Sequence, residues 1–73
     1  MLNLTKEFAK KYKGKTVYLS NDFERAVVKM TPNDGNFVKF KGENEFQAKT
    51  GSGVVTETYL AGKIISKKEY DNF

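Results

Sequence analysis

Apolar positions along this chain recur with two different periods, and the change of period divides it. Between residues 3 and 13, Leu4, Phe8 and Tyr12 are spaced by four, which lays one apolar stripe along an amphipathic helix. Asn3 or Thr5 suits the N-cap, Gly14 the stop, and Glu7 and Lys11 form a favourable i,i+4 pair. From Lys15 the period becomes two, the signature of strands with one buried face.

Four strands are expected between residues 15 and 49: KTVYLS (15–20), FERAVVKM (23–30), NFVKFK (36–41) and EFQAK (45–49). Three short turn signals separate them. Ser20, Asn21 and Asp22 form the first and Gly42, Glu43 and Asn44 the third. In the second, TPNDG (31–35), Pro32 pre-sets φ and Gly35 accepts a positive φ. Strands joined this tightly form an antiparallel meander.

After TGSG (50–53) the stretch VVTETYLAG is ambiguous. Its β-branched residues favour a strand, while Gly62 after Ala61 fits a helix C-cap, and a short helix over 54–61 is the expectation. Ser66 and Glu69 have capping-box spacing, so the tail from residue 66 is expected to close on another helical turn, anchored by Ile64 and Ile65 with Tyr70 and Phe73 packing back.

The predicted fold is α+β in one domain spanning 1–73. A four-stranded antiparallel meander, curled at most into a partly open SH3-like barrel, is flanked by an N-terminal helix and short helical segments in 54–73. The expected core is Leu4, Phe8, Val17, Leu19, Ala26, Val28, Met30, Val38, Phe40, Phe46, Ala48, Leu60, Ile64 and Ile65.

Strand phase also defines a second face. If Ala26, Val28 and Met30 point inward, then Tyr18, Phe23, Arg25, Val27, Lys29, Phe37, Lys39 and Lys41 point the other way. Aromatic and basic residues interleaved on a sheet suit protein anchors, and they also suit base stacking and phosphate tracking. Lysine stems lying along the rings, or the C-terminal segment packed over them, would satisfy the same face within the chain.

Charge sharpens this picture. The net charge is +4, with 13 basic and 9 acidic residues, and the excess sits in residues 1–16. Lys6, Lys10 and Lys13 share one side of the first helix and are candidate phosphate contacts. Only one of the 13 cations is arginine, which weakens the case for nucleic acid, where bidentate contacts favour Arg. The excess of Lys and Asn suits an AT-rich genome such as those of low-GC bacteria and their phages or mobile elements.

Catalytic chemistry is thin. The chain has no histidine and no cysteine, so the commonest base, the thiolate nucleophile and the usual soft metal ligands are missing. Ser20, Ser52 and Ser66 therefore have no histidine to activate them. GSG (51–53) lacks the Lys-Ser/Thr of a P-loop, and Glu43 and Glu45 read as turn charges. No stretch resembles a secretory signal or a membrane span, so a cytoplasmic location is expected.

A small non-enzymatic protein that modulates a larger macromolecule by protein–protein contact is the reading, with no cofactor and no metal. Its expected contact residues are Tyr18, Phe23, Arg25, Lys29, Phe37, Lys39 and Lys41. The alternatives are a nucleic-acid binder using that face with Lys6, Lys10 and Lys13, and a self-associating subunit.

Overall fold

The computed structural model describes residues 12–49 and 51–73. The expected helix over 3–13, with Leu4, Phe8, Lys6 and Lys10, lies outside them apart from its last two residues. The described elements run β1 (Val17–Asn21), β2 (Ala26–Met30), β3 (Asn36–Phe40), β4 (Phe46–Gln47), α1 (Gly53–Ala61), β5 (Lys63–Ile65) and α2 (Lys67–Asp71). The strands form one sheet in the order β4-β3-β2-β1-β5. Every neighbouring pair is antiparallel.

The meander over β1 to β4 is the expected one, but the sheet has five strands, not four. Lys63, Ile64 and Ile65 pair with Ser20, Leu19 and Tyr18 on the free edge of β1. The strand is only three residues long, too short for an alternation to stand out in the sequence. The first and last strands in the order, β4 and β5, do not pair with each other, so the sheet stays open instead of closing into a barrel.

The strand phase is as expected. Val17, Leu19, Ala26, Val28 and Val38 are buried. Ala26, Val28 and Val38 form a core against which Met30, Phe40, Ala48 and the α1 residues Val54 and Val55 pack. Helix α1 therefore covers this face of the sheet. Ser52 caps it by accepting from the Val55 N–H, and the Gly62 N–H closes it on Thr58 O at 2.8 Å. At Gly62 the chain passes so close to β1 that an added Cβ would lie 2.5 Å from Thr58 O and 2.6 Å from Ser20 O.

Helix α2 covers the opposite face. The capping box read from the sequence is present: Ser66 Oγ accepts from the Glu69 N–H at 3.1 Å, and Glu69 Oε1 accepts from the Ser66 N–H at 3.2 Å. Its Tyr70 is buried against the sheet. The sheet is thus a middle layer between two helices.

This second layer corrects the expected core. Val27, assigned to the outer face, is fully buried, as is Thr58, and Tyr70 is buried as well. Phe46, Leu60 and Ile64, expected inside, are exposed. Ile64 sits on the edge strand β5 and Phe46 on the edge strand β4, where a neighbour on one side is missing. Among the described residues no helix is long and apolar enough to cross a membrane.

Candidate functional site

Of the seven expected contact residues, four lie beneath or beside α2. The Tyr18 and Tyr70 rings are 5.1 Å apart and tilted by 47°. Lys29 Nζ lies 4.5 Å from the Phe37 ring centroid, and Lys39 Nζ 4.8 Å from that of Tyr70. Lys39 also donates to Asp71 O at 3.4 Å. Tyr18, Lys29, Phe37 and Lys39 are half-buried, their rings and ammonium groups engaged by each other and by the C-terminal helix. The expected open face is therefore largely roofed, because a buried Tyr70 makes better use of it than water does.

Glu45 completes that cluster. It accepts the Tyr70 hydroxyl hydrogen bond and pairs with Lys29 at 3.1 Å. The Tyr70 hydrogen bond, helped by Lys29, holds its carboxyl below the usual range despite partial desolvation. Burial first, and the Glu45 carboxylate second, push the Tyr70 phenol up. Both shifts fix the groups in their resting protonation states, a carboxylate and a neutral phenol. This suits a structural contact better than a proton shuttle.

The other three residues, Phe23, Arg25 and Lys41, meet at one end of the sheet, around the turn Asp22–Arg25 between β1 and β2. The expected strand over 23–30 begins only at Ala26. Arg25 is the reason: its φ of 51° is left-handed, a conformation that ends the extended run and that residues other than Gly, Asn and Asp seldom adopt.

Asn21 holds this turn from both sides. Its side-chain Oδ1 accepts from the Glu24 N–H at 3.0 Å, three residues on, as an N-cap side chain does. Its Nδ2 donates to Thr58 Oγ1 at 3.1 Å and to Glu57 Oε1 at 3.3 Å on α1. Thr58 in turn donates to Val54 O at 2.7 Å. From the other side, the Lys41 N–H donates to Arg25 O at 3.0 Å. Asp22 pairs with Lys63 of β5 at 3.6 Å, although both side chains are open to solvent and that pair adds little stability.

On this clamped turn Phe23 is 86% exposed. Two clefts lie at this turn, and Phe23 lines the first of them. One, about 220 Å³, runs between the turn and the end of α1, past Asn21, Glu57 and Gly62. The other, about 290 Å³, lies between Asp22, Arg25, Lys41 and Phe73. Lys41 Nζ sits 4.9 Å from the Phe73 ring centroid. A further cleft, about 310 Å³, lies elsewhere, between Tyr12, Val17, Met30, Pro32 and Tyr59. Among the described residues no carboxylate lines it. Lys13, the one described member of the expected phosphate-binding trio, borders it in an exposed turn.

Sequence reasoning thus named Phe23, Arg25 and Lys41 for a sheet face, whereas they gather at a turn. Asn21, expected as part of the first turn signal, is instead the last residue of β1, and its side chain holds the turn that follows.

No protein-family model matches the chain, and no curated protein matches it. Among solved structures, it resembles a chain in the crystal structure of the complex between the Type VI effector Tas1 and its immunity protein. The TM-score is 0.76 at 21% sequence identity, with 99% of this chain and 93% of that one covered. At this identity the likeness is one of fold.

Proposed function

We propose that this chain is a small inhibitor of the immunity-protein kind, which neutralises a protein toxin by docking on it through the β1–β2 end of the sheet. The observation that carries the reading is Phe23. A phenylalanine left 86% exposed gives up burial worth roughly 2 kcal/mol, and it stands on a turn fixed by Asn21 and by the Lys41–Arg25 backbone bond. A rigid aromatic on a preorganised support is the usual form of an interface anchor, because little entropy is lost when it is buried.

The fold likeness to a chain from an effector–immunity complex, over nearly the whole of both chains, supports the same reading. With 73 residues, no histidine and no cysteine, the chain suits the inhibitor side of such a pair. The acidic groups near its rings are engaged in structural contacts, as Glu45 is with Tyr70 and Lys29. Nucleic-acid stacking on the sheet is less favoured, because Tyr18 and Phe37 would have to shed Tyr70 and Lys29 first.

Co-expression tests the proposal. Toxin genes adjacent to this one in its own genome are induced in a bacterial host, with and without this chain, and growth is followed. Rescue by the wild type and loss of rescue by Phe23→Ala are expected. Rescue of none of these toxins, or equal rescue by Phe23→Ala, contradicts it.

A further inference from the structure

We infer that the partner presents a carboxylate to Arg25 and Lys41 beside the apolar socket that receives Phe23, so that the surface this end fits is acidic. The inference rests on the docking reading above and adds the partner's chemistry to it.

Arg25 is the chain's single arginine among 13 cations, and it occupies a left-handed backbone conformation that is strained for an L-residue and that glycine would adopt freely. Among the described residues its guanidinium makes no hydrogen bond or ion pair within the chain; only its backbone carbonyl is used, by Lys41. Strain retained at a side chain with no internal task points to an external one. Lys41 faces the same cleft, and its ammonium rests over the Phe73 ring, with no acidic partner among the described residues. The cleft's one acid, Asp22, is drawn towards Lys63.

The cleft therefore carries two cations and a single acid, Asp22, whose carboxylate lies 3.6 Å from Lys63. Its volume of about 290 Å³ equals roughly ten water molecules and admits an acidic side chain. A planar guanidinium beside an ammonium suits a carboxylate, which Arg binds through two parallel hydrogen bonds. The Phe73 ring supplies an apolar floor that lowers the local dielectric and strengthens such a pair.

The variant Arg25→Gly separates binding from folding, because it deletes the charge while relieving the left-handed strain. A random twelve-residue peptide library displayed on phage is panned on the whole protein, and selected peptides are titrated by fluorescence. Enriched peptides are expected to carry Asp or Glu beside an apolar residue. They should bind Arg25→Gly and Lys41→Glu about tenfold more weakly than wild type, with the thermal midpoint of Arg25→Gly unchanged or raised.

A selection without acidic bias, one that yields no binders, or binding by both variants within about twofold of wild type overturns the inference. So does an oligothymidylate that competes with the selected peptides for Arg25, since phosphate would then be the ligand. The growth assay distinguishes the two claims. If Phe23→Ala fails to rescue while Arg25→Gly and Lys41→Glu rescue fully, docking stands and the acidic partner falls. If Phe23→Ala rescues as well as wild type, the docking reading itself falls.

Discussion

Asn21 and Thr58 are 37 residues apart in sequence, yet the Asn21 amide donates to the Thr58 hydroxyl at 3.1 Å in a site closed to solvent. The same Asn21 side chain accepts from the Glu24 backbone. One buried residue therefore ties the exposed turn to the helix on the sheet's inner face. Asn21→Ala is expected to lower the unfolding free energy by about 2 kcal/mol, since it removes these bonds and leaves a backbone donor without its acceptor. Urea denaturation measures this, and a loss below about 0.5 kcal/mol would mean that the turn is held by other contacts.

Gly62 is required for space and not for φ, which is −76°. A methyl group there would meet two backbone oxygens, Thr58 O and Ser20 O, and neither moves without shifting α1 from β1. Gly62→Ala is expected to cost about 3 kcal/mol. Gly53, with nothing near its would-be Cβ, is the control: Gly53→Ala should be neutral or stabilising by about 0.5 kcal/mol. Thermal unfolding of the two variants side by side decides this, and equal midpoints would contradict the close approach.

The Tyr70–Glu45 contact predicts how stability varies with pH. Glu45 is held below its ordinary value of 4.5, so its contribution is present above that value and is lost as pH falls through the depressed one. The Tyr70 phenol is raised from its ordinary 10.0, so its contribution is present below that value and declines as pH rises past it. Tyr70→Phe removes the largest cause of the Glu45 shift. It should lower stability at neutral pH by about 1 kcal/mol and flatten both the acid and the alkaline limbs. Urea midpoints from about pH 3 to about pH 11 would show it; limbs as steep as wild type would place the pH dependence elsewhere.

Ser20 carries a buried hydroxyl with no hydrogen-bond partner among the described residues. It lies on the outer face of β1, between Val27 of β2 and Lys63 of β5. Ser20→Ala removes the unsatisfied oxygen and little volume, and should hold stability or raise it by up to about 1 kcal/mol. A loss larger than about 1 kcal/mol on chemical denaturation would reveal a partner for that oxygen.

What could be read from the sequence was set by how long each signal lasts. From Val17 to Phe40 the two-residue alternation is sustained over three strands, and it places Leu19, Val28 and Val38 inside correctly. Ser66 and Glu69 announced their capping box because both halves are side chains at fixed spacing. Lys63–Ile65 is too short for its period to show, so β5 went unread. Val27 was assigned to the surface because alternation knows only the sheet, and a second helix on the far face is a long-range fact. The candidate site was named in part for an unsuitable reason. Phe23 and Arg25 alternate on the expected second strand and Lys41 closes the expected third, but Arg25 at φ 51° precedes the start of β2, and the three lie at one corner of the sheet. Nothing in an arginine's side chain signals such a backbone, whereas a glycine there would have.

Phe23 is the direct test of the whole account. With a neutralised toxin in hand, isothermal titration compares wild type with Phe23→Ala after their thermal midpoints have been matched. The account predicts a Kd about 30-fold or more weaker for Phe23→Ala, with its fold intact. An unchanged Kd would contradict it and move the interface away from the β1–β2 turn.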